Sequence, residues 1–459
     1  MSEFLIQEKS LTDIADAIRE KAGSTEKMTP AEMAEAITAI RTGGGDSAVA
    51  QKDVNFYDYD GTLLYSYTIA EAQELTELPA APEHEGLVFQ SWNYTLDSVK
   101  TTTQMLNVGA TYITFDGKTR IFIHLEEGRT SPMLGLAVLG TVDVDWGDGT
   151  DHDTLTGNSL MQRVFTPNHE YAEPGDYVIT LAVVSGEMHI ISSDGSDEYS
   201  AILRHRSLGD KRNRVYQNSV LKVFIGSNVT IGQVAFYYCT SLQSVVIPEG
   251  ITSIGRIAFD YCYSLKGVVI PKGVTSIGNN AFSYCYSLKE AILPVGITSI
   301  GSDLFSGCDN LNTFVIPEGV TEIQEKQAFR LCRTLKKIVI PKSVTSIGSG
   351  AFTSCERLAS VVLPEKLVDI SGSLFYGCST LINIKIPKGV TSIGSSAFYL
   401  CGSVKLYDFS QHESVPALSN TNAFTGIAAD CEIRVPAALY DEWISATNWA
   451  TYASNIVAV

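Results

Sequence analysis

Long apolar runs are missing from this 459-residue chain. No stretch of about 20 apolar residues occurs, so the length needed for a membrane-spanning helix is absent. The opening residues, MSEFLIQEKSLTDIADAIRE, are charged and amphipathic and lack the apolar core of a signal peptide. No wall-sorting signal is recognisable at the other end. Histidine is scarce and scattered (His84, His124, His152, His169, His189, His205, His412). No H-E-x-x-H, G-x-S-x-G or phosphate-binding loop accompanies it, so neither an enzyme nor a cofactor is expected. Lysine and arginine number 33 against 51 acidic residues, a net charge of −18. That balance argues against a nucleic-acid partner, whose phosphates need clustered basic side chains. The acidity is spread along the chain and mainly implies solubility.

What the sequence has in abundance is repetition. A cassette L-x-x-V-x-I-P-x-G-V-T-S-I-G-x-x-A-F-x-x-C-x-S fills the second half. Its proline column runs Pro248, Pro271, Pro294, Pro317, Pro341, Pro364, Pro387. The aromatic column runs Phe236, Phe259, Phe282, Phe305, Phe329, Phe352, Phe375, Phe398. The step is 23 residues, with one of 24 where 321–327 carries an extra residue. A fixed period of this length means a solenoid, each unit burying its apolar face against its neighbours. Within a unit, Leu242, Val245 and Ile247 read as a strand ended by Pro248, and Ile251 and Ile254 as a second extended segment. Ala258-Phe259-x-x-Cys262 predicts one helical turn. Eight of the nine cysteines, from Cys239 to Cys401, share one column. Translation along a solenoid points their side chains the same way, which is poor geometry for bridging. Buried free thiols are expected, and with them assembly in a reducing cytoplasm.

This pattern resembles the BspA-like leucine-rich repeat of bacterial surface proteins and of proteins from phages infecting gut bacteria. The resemblance covers residues 215–436 and implies a curved solenoid used for adhesion or recognition. A ninth unit, Phe424 to Pro436, is degenerate, with Ile427 in place of the cysteine. Residues 437–459 read as a cap, with Leu439, Trp443, Trp449, Tyr452 and Ile456 on its apolar face.

The first half reads as small modules. Leu11, Ile14, Ala15 and Ile18 fit one helix face, and Thr29-Pro30-Ala31-Glu32 opens a second helix with stripe Met33, Ile37, Ile40. This hairpin, residues 1–42, is too short to stand alone and is expected to attach or oligomerise. LTDIADAIREKAGSTEKMTPAEMAEAITAI is similar to a segment near the N-termini of tail and tail-fibre proteins of Firmicutes phages. A Gly43–Ser47 linker follows. Residues 52–97, with Val54–Thr62 alternating into a turn, resemble a Listeria–Bacteroides repeat, a small β module. In 101–195, Val142-Asp143-Val144-Asp145-Trp146-Gly147-Asp148-Gly149 is followed 20 residues later by His169-Glu170-Tyr171. These motifs are similar to the polycystic-kidney-disease (PKD) domain, which implies an immunoglobulin-like β-sandwich. Residues 196–214 read as a polar connector. The fold class expected is multi-domain and mostly β, ending in the solenoid and its helical cap.

Three groups of residues are candidates for function. Tyr237, Tyr238, Tyr261, Tyr263, Tyr284 and Tyr286 fall beside the cysteines of the first three units and would stack as aromatic columns, suited to sugar rings or a partner protein. The competing reading is that a column merely fills space between coils. Val246, Val269, Ile292, Val315, Val339 and Val362 alternate with core residues, so they would line the outer face of the strand ladder. That stripe would suit a subunit contact, in a homotrimer if the phage resemblance holds, or reflect strand preference alone. Asp145, Asp148 and Asp151 are a calcium candidate, set against an ordinary turn and solvated face. The expectation is a non-catalytic recognition protein of a virion tail, assembled in the host cytoplasm. It would contact a host cell-surface glycan or protein through the solenoid, and other tail proteins through the hairpin. The alternatives are a bacterial surface adhesin binding mucin or other cells, and an accessory subunit of a polysaccharide-degrading enzyme.

Overall fold

In the computed structural model the described residues are 52–190, 202–204, 216 and 218–459. The expected hairpin over residues 1–42, and the attachment role attached to it, lie outside them, as does most of 196–214. Asp53–Val459 form one compact unit.

The first sheet joins β1 (Val54–Tyr57), β2 (Leu63–Tyr67), β3 (Leu87–Trp92) and β4 (Leu106–Thr114) in the order β2-β1-β4-β3. Two short helices, α1 (Ile69–Gln73) and α2 (Leu96–Lys100), sit between strands. The Thr68 hydroxyl accepts from the Glu71 N–H and the Glu71 carboxylate from the Thr68 N–H, closing a capping box on α1. The module therefore runs past the expected boundary at 97. β4 pairs parallel with β1 and antiparallel with β3, so residues assigned by sequence to the next domain complete this sheet.

Beyond β4, the strands in the region of the expected β-sandwich are hydrogen-bonded into one sheet that runs on into the solenoid. Its strands are β5 (Thr119–Leu125), β6 (Met133–Asp145), β7 (Asp153–Phe165) and β8 (Gly175–Ile190), with β9 (Leu203–Arg204) beside the start of β6. β5 pairs antiparallel with β10 (Val220–Phe224), and the end of β8 pairs parallel with β11 (Val229–Ile231). β10 and β11 begin the two ladders of the solenoid, so each ladder starts on a strand of this sheet and has no free upstream edge there. Trp146 is buried, stacks on His169 at 4.6 Å, and its carbonyl accepts from the Tyr171 hydroxyl.

Each coil of the solenoid is named here by its phenylalanine, coil one carrying Phe236 and coil nine Phe424. The strand before the proline forms one parallel ladder, beginning with β10 and β12 (Ser244–Val246). The Ser-Ile pair forms the other, from β11 through Ser253–Ile254 and Ser276–Ile277. Leu, Val, Ile, Ala-Phe and Cys columns fill the interior. Nine phenylalanine rings, Phe236 to Phe424, stack at centroid spacings of 5.2–5.7 Å. The degenerate ninth unit thus keeps its ring in line.

The expected helical turn around each Phe is instead a run of tight turns. Ile257 and Tyr261 have φ of 60° and 61°; the first position is also positive in every coil from Val234 to Ser396, and the second in every coil from Tyr238 to Gly426. These left-handed residues aim N–H groups at the next coil rather than along the chain: Phe236 N–H donates to Ala258, and Tyr238 N–H to Asp260. The thiols act alike. Cys262 Sγ donates to Phe236 O at 3.2 Å, and Cys285, Cys308, Cys332, Cys355, Cys378 and Cys401 repeat the contact, each to the phenylalanine carbonyl one coil upstream. All nine cysteines are free and buried.

At the far end Ile456–Ala458 adds a parallel strand to Glu432–Val435. Trp449 and Tyr452 close on Phe424, and Trp449 Nε1 donates to Pro416 O at 2.8 Å. Trp443 and Trp449 are fully buried. They end the ring stack with apolar surface, where an open coil would present it to water.

Candidate functional site

The first sheet packs flat on the pre-proline ladder. Strand β4 explains how, because it is buried on both sides. Leu106, Val108, Ala110 and Tyr112 enter the core of their own module, while Asn107, Gly109 and Thr111 alternate towards the solenoid. A Cβ on Gly109 would lie 2.4 Å from the Val269 side chain, so only glycine admits that approach. Tyr57 packs on Val269 and Ile292. Glu249 fixes the register: its Oε1 accepts from Ser91 Oγ at 2.8 Å and Thr111 Oγ1 at 3.1 Å, and its N–H donates to the Gln90 side chain at 2.8 Å. Tyr94 donates to Leu293 O and Gln104 to Glu318.

This docking corrects the reading of the valine stripe as a subunit contact. Val246, Val269, Ile292 and Val315 are covered within the chain, the first three at 1–3 % exposure. Val339 is half-buried, and Val362, at 81 % exposed, is the one position of the stripe that stands open. The apolar outer face belongs to an intramolecular interface, each covered side chain contributing roughly 1.5–3 kcal/mol.

Beneath that interface Glu290 is half-buried beside Tyr57 and Gly61, with one carboxyl oxygen enclosed and lacking a hydrogen-bond partner among the described residues. Desolvation pushes its pKa up to about 8.

The tyrosines form a wall on the turn side of coils one to three. Tyr238, Tyr261 and Tyr284 stack at 4.7 and 4.8 Å, and Tyr263 and Tyr286 at 4.9 Å. The two columns meet edge to face at about 6.0 Å. Tyr238, Tyr261, Tyr263 and Tyr284 are half-buried, mainly against one another, and Tyr286 is exposed. Tyr237 does not belong to the wall. It is buried with Val234 and Ile257 in a small apolar cluster behind it. The wall ends where coil four has Gly307, at φ 74°: a Cβ there would meet the Tyr284 ring at 2.6 Å, so the glycine lets that ring lie flat on the next coil. Behind the rings, Asp260 is buried, and desolvation raises its pKa to about 7.

Past Tyr286 the same column turns ionic, a feature the sequence reading left aside. Arg333 reaches Asp309 at 2.9 Å and Glu356 at 3.6 Å. A period-aligned Asp, Arg, Glu series in that column was the signal available in the sequence.

The calcium candidate does not assemble. Asp145 accepts from the Gly147 N–H, Asp148 from Thr150 and from His169 at 2.7 Å, and Asp153 from Trp146 Nε1. Asp143 pairs with His152 at 2.9 Å. Turn bonds, Trp146 and histidines use these four carboxylates, Asp151 is exposed, and among the described residues no group of three His, Cys, Asp or Glu could hold a metal ion. No helix of the described residues is long and apolar enough to cross a membrane.

Residues 212–332 and 325–429 match the family described as BspA type Leucine rich repeat region, in six copies. Residues 212–429 are the part of the chain that is similar to BspA-type leucine-rich repeats. Solved structures similar to it include a leucine-rich repeat protein from Bacteroides ovatus (19% identity, covering 61% of this chain and 99% of that one, TM-score 0.30). Others are the T. pallidum leucine-rich repeat protein (27%, 49% and 85%, 0.29) and a leucine rich cell surface protein from Faecalibacterium prausnitzii (23%, 60% and 95%, 0.27). No curated protein matches the chain. The tyrosine wall stands on the first three coils of the BspA-type region, and the first sheet covers the ladder face of coils one to four.

Proposed function

We propose that this chain is a non-catalytic recognition protein that meets a bacterial cell surface through the tyrosine wall of its repeat region. The observation that carries this reading is the double stack of Tyr238, Tyr261, Tyr284 and Tyr263, Tyr286, half-exposed and backed by a rigid core. Flat aromatic surface with hydroxyl rims binds sugar rings and protein side chains while losing little side-chain entropy. The BspA-type repeats support surface recognition or adhesion as the broad role. Within that role we assign the protein to a phage tail, on the resemblance of residues 11–40 to tail-protein N-termini. The adhesin is the second reading, favoured by a repeat shared with bacterial surface proteins.

The test applies labelled full-length protein to a panel of gut bacteria and to immobilised mucin, beside a variant with Tyr238, Tyr261, Tyr263, Tyr284 and Tyr286 changed to Ser. Strain-restricted binding that the variant loses is the expected result. Binding to mucin alone transfers the protein to the adhesin reading. A variant that binds as well as the parent removes the tyrosine wall from the function.

A further inference from the structure

A second surface, beside the upstream end of the valine interface where Phe224 pairs with Val246, carries a site that neither the repeats nor the tyrosines explain. Where the first sheet meets the strands β5, β8 and β10 there is a cleft of about 670 Å³. That volume falls within the range of small-molecule sites. Its floor is the outward face of the second sheet. Lys222 of β10 lies opposite Phe122 of β5, and Phe224 opposite Arg120. The Phe122 and Phe224 rings meet edge to face at 5.0 Å, and Lys222 Nζ stands 5.6 Å from each ring centroid. The wall is the segment after His84, with Glu85 exposed at the rim and Tyr59 edge-on to Phe224 at 6.3 Å.

The charges of this cleft are unequally satisfied. Arg120 is neutralised by Asp116 through two bonds of 2.7 and 2.8 Å. His84 is held by Asp58 at 2.8 Å. Lys222 has no carboxylate within ion-pair distance among the described residues, and its contacts there are the two phenyl rings. An ammonium held over aromatic faces is partly desolvated and attracts an anion more strongly than a free surface lysine does. Phe122, half-buried, supplies apolar area beside it, and Thr180 supplies a hydroxyl. One cation, one ring platform and the Thr180 hydroxyl match a small ligand that is flat and apolar on one face, hydroxylated at its edge and singly charged. The net charge of −18 disfavours an extended polyanion at the same place.

We infer that this cleft binds an anionic pyranose, its ring against Phe122 and its carboxylate or phosphate on Lys222. The site is independent of the tyrosine wall, so it stands or falls separately from the function proposed above.

The test is titration calorimetry of the full-length protein at low salt with glucuronate, glucose 6-phosphate, glucose and inorganic phosphate. Both charged sugars are expected to bind, glucose and phosphate about tenfold more weakly or worse. K222Q weakens both charged sugars about tenfold, the loss of one charge-assisted hydrogen bond. E85Q removes a rim carboxylate and tightens them about two- to fivefold. Opposite signs in two surface variants cannot come from misfolding. A preference for one charged sugar supports the site and identifies whether carboxylate or phosphate supplies the charge. Glucose binding as tightly as glucuronate, phosphate binding as tightly as its sugar ester, K222Q leaving the affinities unchanged, or no heat from any charged sugar overturns the inference.

Discussion

Tyr238, Tyr261 and Tyr284 hold left-handed backbone angles of 63°, 61° and 53°, in a column where coil four has Gly307 and coil seven Gly377. Leu331, Ser354 and Leu400 are left-handed there too, so the conformation belongs to the repeat and only the side chain varies. Tyr284→Gly would relieve about 1 kcal/mol of backbone strain and forfeit about 0.5–1.5 kcal/mol of ring stacking. Its melting temperature should therefore stay within a few degrees of the parent while cell binding falls. A loss of stability on the scale of a core truncation, about 3 kcal/mol or more, would instead make the wall structural packing. Glu290 gives a second test at this scale. Its folded-state pKa is raised from 4.5 to about 8, so the folded form favours the neutral acid. The associated stability is fully present below about pH 4.5 and is lost as pH rises through about 8. Glu290→Gln should melt several degrees above the parent at pH 9, with the gap closing towards pH 4. A gap independent of pH would mean that the carboxyl is solvated.

At the scale of the elements, the thiol column links coils as firmly as its burial suggests. Burial drives the column cysteines from Cys262 to Cys401 up from the ordinary thiol pKa of 9.0. Thiolate is the reactive form, so alkylation by iodoacetamide at pH 8 should follow global unfolding in a denaturant series. Rapid labelling of the native protein would contradict the Sγ-to-carbonyl contacts. The sequence disclosed this element well, because each coil repeats the same burial and a fixed period is visible without knowing any distant contact. It disclosed β4 poorly. The alternation Leu106, Val108, Ala110, Tyr112 is legible, but Asn107, Gly109 and Thr111 look like an exposed polar face until a second sheet covers them. The valine stripe was legible as apolar and outward. What covers it was not, since Glu249 meets Ser91 across 158 residues of chain. The turn around each Phe was misread because Ala-Phe-x-x-Cys spacing mimics a helix. Left-handed angles at residues such as Ile257 are ones a β-branched side chain seldom adopts.

For the whole molecule, the docked sheet, the shared ladders and the C-terminal tryptophans leave few surfaces at which Asp53–Val459 could come apart in steps. Calorimetry should show one transition over this unit, where uncapped repeat arrays fray from their ends. Deleting residues 53–114 bares Val246, Val269 and Ile292, and should lower the melting temperature and produce concentration-dependent association. An unchanged melting temperature would make the first sheet a passenger.

The extent of the docked sheet also divides the solenoid in two. Its contacts stop near Val315 and Glu318, and from Lys337 onward no other element of the described residues covers the ladder. An extra coil upstream of that point would carry Val269 and Ile292 out of phase with Gly109 and Tyr57, so repeat number is clamped there. Beyond Pro341 a whole coil can be added or lost without disturbing any of those partners. Reach is the one dimension this architecture leaves free to drift, and chains built on the same plan should differ in length in the later coils while keeping the first four in step.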